Sequence, residues 1–242
     1  MMNSILDGKT CFLTGASGGL GKEIAKEIAN CNCNLFLTGR NEKKILELKE
    51  TIKNSVNDKI EVYYQTGDLN NLDDIKKIIN SAKNAYNSFD ILINSAGIFV
   101  NKSIQNTTWK EFEKSFNVNV RAPFIFCKEF SEGMIKNGWG RIINIGSSSS
   151  YSGFKNGSIY CSSKHAVLGL SKALHDELKS KNVRTFCISP GSIKTEMGKI
   201  SKEQNFETFL DPKEIAKYLV FIISFDSELI SEEIRLNRMN IE

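Results

Sequence analysis

The sequence predicts an α/β protein built as a doubly wound parallel sheet, and three observations carry that expectation. Short apolar runs alternate with longer amphipathic stretches from end to end. The apolar runs are nearly continuous rather than alternating, as strands covered on both faces require. Punctuation is sparse: 242 residues contain three prolines, with no internal repeat, low-complexity tract or Ser/Gly linker. The span 1–242 therefore reads as a single domain.

Taken in order, "TCFLT" (10–14) is the first strand, and a glycine-rich loop leads from it into a helix at 20–31. "NLFLT" (34–38) and "IEVYYQ" (60–65) follow, separated by a helix at 41–54. A helix at 71–87 precedes "DILIN" (90–94), and one long helix is expected over 107–136. "RIINI" (141–145) leads to a helix at 158–181, then "VRTFCIS" (183–189), a helix at 212–224 and a last strand, "EEIRL" (232–236). About seven strands with helices on both faces result. Such sheets bind ligands beyond the carboxyl ends of their strands, near the point where strand order reverses, so the strand ends carry the functional reading.

After the first strand comes "TGASGGLG" (14–21), with Gly15, Gly18, Gly19 and Gly21 around Ser17 and Leu20. Glycine lets backbone turn tightly and approach a ligand without a Cβ in the way. The helix start then offers free N–H groups and a positive dipole end to a pyrophosphate. A tight turn capping a helix is the plain alternative, but the strand–loop–helix position favours a dinucleotide. The second strand ends in Thr38, Gly39 and Arg40, with no acid to hold a ribose hydroxyl. A guanidinium there pairs with a 2′-phosphate, so NADP(H) is expected over NAD, with Ser17 adding a hydroxyl; a solvated Arg40 is the alternative. The third strand leads to Asp68 and Leu69, Asp68 accepting from an adenine amino group or capping the next helix. The fourth ends "NSAG", where Asn94, Ala96 and Gly97 let backbone close over the cofactor. The fifth ends "GSSSS" (146–150), and "YCSSK" (160–164) follows on a helix, where i and i+4 share a face. The sixth ends "SPGSIKT" (189–195), bringing Pro190, Gly191, Ile193 and Thr195 to the same edge.

The net charge of +4 is mild and the lysines are mixed with acids, which excludes the basic stripe of a nucleic-acid binder. The N-terminus lacks a signal-peptide pattern, and the greasiest run, Leu219 to Ile223, is far too short to span a bilayer. A cytoplasmic protein with no membrane partner is expected. Six cysteines lack metal-ligand spacing and read as small buried residues. His165 and His175 read as plain helix residues, and no metal site is expected.

Together these motifs resemble the short-chain dehydrogenase/reductase family over residues 7 to about 198. The resemblance rests on "TGASGGLG", "NSAG", Asn119 in "NVNV", Ser147, "YCSSK" and "PGSIKT". Ser147 precedes Tyr160 by 13 positions and Asn119 precedes it by 41. It implies a Rossmann fold, an NADP-dependent oxidoreductase acting on a carbonyl or secondary alcohol, and a catalytic tetrad of Asn119, Ser147, Tyr160 and Lys164. A phenol with a pKa of about 10 is a poor acid–base catalyst at neutral pH. A lysine ammonium one turn away is expected to lower that value. Tyr160 would protonate the developing alkoxide, Ser147 hold the carbonyl oxygen, Lys164 also bind the ribose and, in the family's scheme, Asn119 hold a water that returns the proton.

A substrate lid is expected at about 196–210, with Met197 facing the substrate. Ser149, Tyr151 and Phe154 are expected to add substrate contacts, although short-helix packing explains the aromatic residues nearly as well. The resemblance makes a homodimer or homotetramer plausible. The 3-oxoacyl-[acyl-carrier-protein] reductases are the first comparison within the family. Of the two basic positions those enzymes use to hold the carrier protein, one aligns with Lys181 and the other with Gly138. Their terminal Gly-Gly pair is replaced here by "RLNRMNIE". A catalytically silent NADP-binding sensor is a lower alternative, because such proteins usually lose the tyrosine or lysine. A sugar-nucleotide epimerase is disfavoured by the short C-terminal tail.

Overall fold

The computed structural model describes residues 5–56, 59–201 and 204–239. Its strands are β1 (Thr10–Thr14), β2 (Asn34–Gly39), β3 (Val62–Thr66), β4 (Ile91–Asn94), β5 (Gly140–Ile145), β6 (Val183–Pro190) and β7 (Glu233–Leu236). All pair in parallel in the order β3-β2-β1-β4-β5-β6-β7. The order reverses between β1 and β4, so the loop after β1 opens at the switch point. Register brings the ends level: Thr38 and Asn94 flank Thr14, and Asn144 flanks Asn94.

Alternation along each strand feeds two cores. In β1, Cys11 and Leu13 join one core with helices α1 (Gly19–Ala29), α2 (Glu42–Val56) and, by the chain's end, α7 (Pro212–Ile223). Phe12 points to the other face, packing with α3 (Leu72–Ala85) and α5 (Ala122–Asn137). There Phe12 stacks on Phe36 at 5.5 Å between centroids and tilts against Phe130 at 4.6 Å. Strands that are fully buried on both faces carry no polar alternation, which is why the apolar runs marked them so clearly.

Several boundaries differ from the sequence expectation. The stretch at 107–136 is not one α-helix. Thr108 opens α4 (Trp109–Phe116) with a capping box, its hydroxyl accepting from the Glu111 N–H. A π-helical turn at Asn117–Arg121 follows, and α5 resumes beyond it. The inserted turn leaves the apolar spacing nearly continuous, so periodicity passes over it. β3 begins at Val62 rather than at residue 60, and Asn71, not Asp68, caps α3 by accepting from the Asp73 N–H at 2.8 Å. The helix after "GSSSS" is α6 (Ser158–Leu178), and its last expected turn is a 3-10 turn over Lys179–Lys181. Among the described residues no helix is long and apolar enough to cross a membrane.

One cation is wholly buried. Arg141 donates to the carbonyls of Gly140, Ile223 and Phe225 and pairs with Asp226 at 2.6 Å. It ties the start of β5 to the end of α7, and three carbonyls plus one carboxylate take four of its five N–H donors.

Candidate active site

The glycine loop builds the first wall. Gly15 has φ of +72°, and a Cβ there would lie 2.7 Å from the Ala96 nitrogen. A Cβ on Gly21 would lie 2.2 Å from the Gly15 carbonyl oxygen, and one on Gly19 would lie 2.7 Å from Thr195 Cγ2. The loop is thus clenched against the ends of β4 and β6, and only glycine fits. Thr14 completes the joint: its hydroxyl accepts from the N–H groups of Ser95 and Ala96, each at 3.1 Å.

From this loop a cavity of about 960 Å³ runs along the carboxyl ends of the strands. Gly15, Ser17, Gly19, Leu20 and Gly21 line it at one end with Arg40, Asp68 and Leu69. Gly39 lets Ser17 lie against the end of β2, because a Cβ there would meet Ser17 Oγ at 2.6 Å. A hydroxyl and an exposed guanidinium therefore line this end of the cavity. Asp68 Oδ1 accepts from the Asn70 N–H, and with Asn71 capping α3 the Asp68 side chain is not the helix cap.

Ala96, Gly97, Pro190, Gly191, Ile193 and Thr195 also line the cavity. Asn94 does not. It is buried beneath the floor, where its Nδ2 donates to Asn144 Oδ1 at 2.8 Å, so it braces β4 against β5.

Ser147, Tyr160 and Lys164 meet at the same cavity. Ser147 sits where β5 breaks into a 3-10 turn, its hydroxyl accepting from the Ser149 N–H at 3.1 Å. Tyr160 begins α6 half-buried, hydrogen-bonded to Ser147, with Phe99 edge-on to its ring at 4.7 Å. Lys164, buried one turn on, donates from Nζ to the Ile145 carbonyl at 2.7 Å and lies 5.8 Å from the Tyr160 ring centroid. Asn119 lies behind this group. Its Oδ1 accepts from the Ile98 N–H at 2.8 Å, and its Nδ2 donates to the Ile98 carbonyl and to Ser163 Oγ, each at 3.0 Å. The π turn aims Asn119 at the loop after β4.

The expected acidification of Tyr160 is absent in the unliganded protein. Burial pushes its phenol up, and the Ser147 hydrogen bond only partly opposes this. Lys164 moves instead, drawn by burial from its ordinary 10.5 down to about 8. Burial penalises the charged form of each group, so the phenol keeps its proton while the ammonium holds its own weakly.

Ser149, Phe154 and Met197 reach the cavity, but Tyr151 does not. Its hydroxyl donates to Asn237 Oδ1 at 3.3 Å and its ring lies under Arg235, centroid distance 4.0 Å. Of the stretch at 196–210, Glu196, Met197, Gly198, Ile200, Ser201 and Gln204 line the cavity; 202–203 lie outside the described residues. Ile98 and Phe99 were missed, although they directly follow "NSAG". All six cysteines are buried and free, and burial lifts Cys31 to about 11.

A seven-stranded parallel sheet with a glycine loop at its switch point and a Ser–Tyr–Lys cluster at its edge defines a Rossmann-type oxidoreductase. The family model for short chain dehydrogenases matches residues 9–205, and the chain belongs to that family. Among relatives, an uncharacterised oxidoreductase of Staphylococcus saprophyticus is 28% identical, over 95% of this chain and 97% of its own length. The 3-oxoacyl-[acyl-carrier-protein] reductase of Rickettsia conorii is 31% identical, over 93% of each. Among solved structures, a metagenomic short-chain oxidoreductase in complex with NADP superposes with a TM-score of 0.83 at 25% identity, covering 97% of this chain and 99% of that one.

Proposed function

We propose that the protein is an NADP(H)-dependent reductase of a carbonyl substrate, with Tyr160 as the proton donor. The observation that carries this reading is the meeting of Ser147, Tyr160 and Lys164 on the cavity that starts at the glycine loop. The glycine loop fits a diphosphate, since α1 begins there with no side chain capping its first N–H groups. Arg40 and Ser17 would hold the 2′-phosphate, Asp68 the adenine, and Lys164 the ribose hydroxyls. NADPH, when bound, supplies the reducing equivalent.

The protein's residues do the rest. Ser147 donates to the carbonyl oxygen and fixes it near the phenol. Tyr160, kept protonated by its burial, is the acid that quenches the developing alkoxide. Lys164, ionising near neutrality at about 8, then stabilises the phenolate left behind and makes the transfer favourable. Asn119 anchors Ile98 and so the inner rim. Phe99 and Phe154, 6.0 Å apart, form an apolar shelf beside the tyrosine.

The test is NADPH oxidation by the purified protein against ketones, sugars and acyl thioesters. Turnover that disappears in Tyr160→Phe supports the reading; NADPH binding without oxidation of any compound favours the sensor. Reduction of a 3-oxoacyl group on its carrier protein is a second reading, supported by the Rickettsia relative. Gly138, however, ends α5 at φ +63° with no side chain to offer, and its carbonyl accepts from Asn182 Nδ2 at 3.0 Å. A carrier-bound substrate turned over no faster than its small thioester would set that reading aside.

A further inference from the structure

Leu236, Asn237 and Arg238, at the end of β7, each hold a different loop of the cavity. The Leu236 carbonyl accepts from the Gly191 N–H at 2.8 Å. Asn237 Oδ1 takes the Tyr151 hydroxyl, just past the turn that carries Ser147. Arg238 donates from Nη2 to Gln204 Oε1 at 2.9 Å and from Nη1 to Thr208 Oγ1 at 3.0 Å. Its guanidinium also lies 5.2 Å from the Phe209 ring centroid, and Phe209 is the buried foot of that segment.

We propose that this tail straps the substrate end of the site together, and that Arg238 is its positioning residue. Gln204 lines the cavity and also accepts from Ser192 Oγ at 2.8 Å, another lining residue. One planar fork thus fixes a cavity-facing amide and, through it, the loop after β6. A guanidinium suits this task because its donors are pre-set in one plane, so little freedom is lost per bond. Without Arg238, the Gln204 side chain keeps only its bond to Ser192; Leu210 stays tied to Ser192 and Lys194 through backbone hydrogen bonds, so the wall formed by 196–201 and 204–210 loosens between its anchored ends. The effect on bound nicotinamide rests on the reductase reading; the strap itself does not.

Two measurements decide it. In the unliganded protein, trypsin cleavage after Lys199 is expected to be about tenfold faster in Arg238→Ala, since local opening rises as two hydrogen bonds are lost. Arg238→Lys should be intermediate, and Gln204→Glu, which puts a full charge opposite the guanidinium, slower than wild type. Equal cleavage in all four proteins overturns the strap, and Gln204→Glu decides alone should Arg238→Ala not fold. With NADPH bound, iodide should quench the nicotinamide fluorescence about twofold more steeply in Arg238→Ala, with an unchanged Kd and recovery in Arg238→Lys. Equal quenching overturns the positioning role. Failure of wild type to bind NADPH refutes the reductase reading and leaves the trypsin result to judge the strap.

Discussion

Lys164 is tethered to the last residue of β5, its Nζ donating to the Ile145 carbonyl at 2.7 Å. One bond therefore fixes the cation of α6 to the strand that delivers Ser147. The carbonyl replaces only part of the lost hydration, which is why burial still draws the ammonium down.

That depression has a signature in stability. The unfolded chain holds its proton up to 10.5 while the folded protein releases it near 8, so between those values the unfolded state binds more protons. Stability then rises with pH through the window, and the penalty is complete below 8. The full swing is about 3 kcal/mol. Denaturant midpoints of wild type and Lys164→Met, compared from pH 7 to 10.5, should converge upward; parallel curves would contradict the buried ammonium.

Tyr160→Phe removes the phenol proposed as the proton donor beside Ser147. Turnover should fall by about 10²- to 10⁴-fold, with NADPH affinity nearly intact, since the phenol lies beyond the glycine loop. Steady-state rates with a fluorescence titration of NADPH check this. Activity retained near wild type would mean another acid.

Arg40→Asp should exchange the cofactor preference. Losing a charge-assisted bond to a phosphate is worth about 1.5–3 kcal/mol, or roughly 10- to 100-fold in NADPH affinity. Repulsion by the new carboxylate adds to the loss, and NADH should gain. Dissociation constants for both nucleotides provide the measurement, and unchanged selectivity would move the phosphate contact elsewhere.

Gly15→Ala introduces a Cβ at φ +72° and 2.7 Å from backbone that Thr14 already pins. A loss of about 1–3 kcal/mol is expected from the left-handed strain, read as a lower thermal midpoint. Weaker NADPH binding should accompany it, because the loop must shift to accept the methyl group.

The strand ends were legible because a sheet covered on both faces leaves apolar runs with abrupt polar stops. Gly15 and Ser147 stand at those stops and share one cavity with Tyr160 and Lys164 of α6. Asn94 and Tyr151 stand there too, yet face away from it, since strand position specifies the edge but not which side of the pleat a chain points to. Asn94 points down into Asn144, and Tyr151 is claimed by a residue 86 positions away. The Tyr160 shift was misjudged for a related reason. Spacing on a helix reveals the neighbouring charge but not the burial opposing it. Phe99 was overlooked because the reading of the fourth strand end stopped at Gly97.

The π turn at Asn117–Arg121 makes this stretch sensitive to length as well as to composition. Removing a single residue there would let α4 and α5 fuse into one regular helix, a gain for the backbone alone. The same deletion would swing Asn119 by about 100° around the axis, and the rim at Ile98 would lose its clasp. Regularity here is incompatible with reach, so an indel would undo the clasp even with Asn119 itself retained.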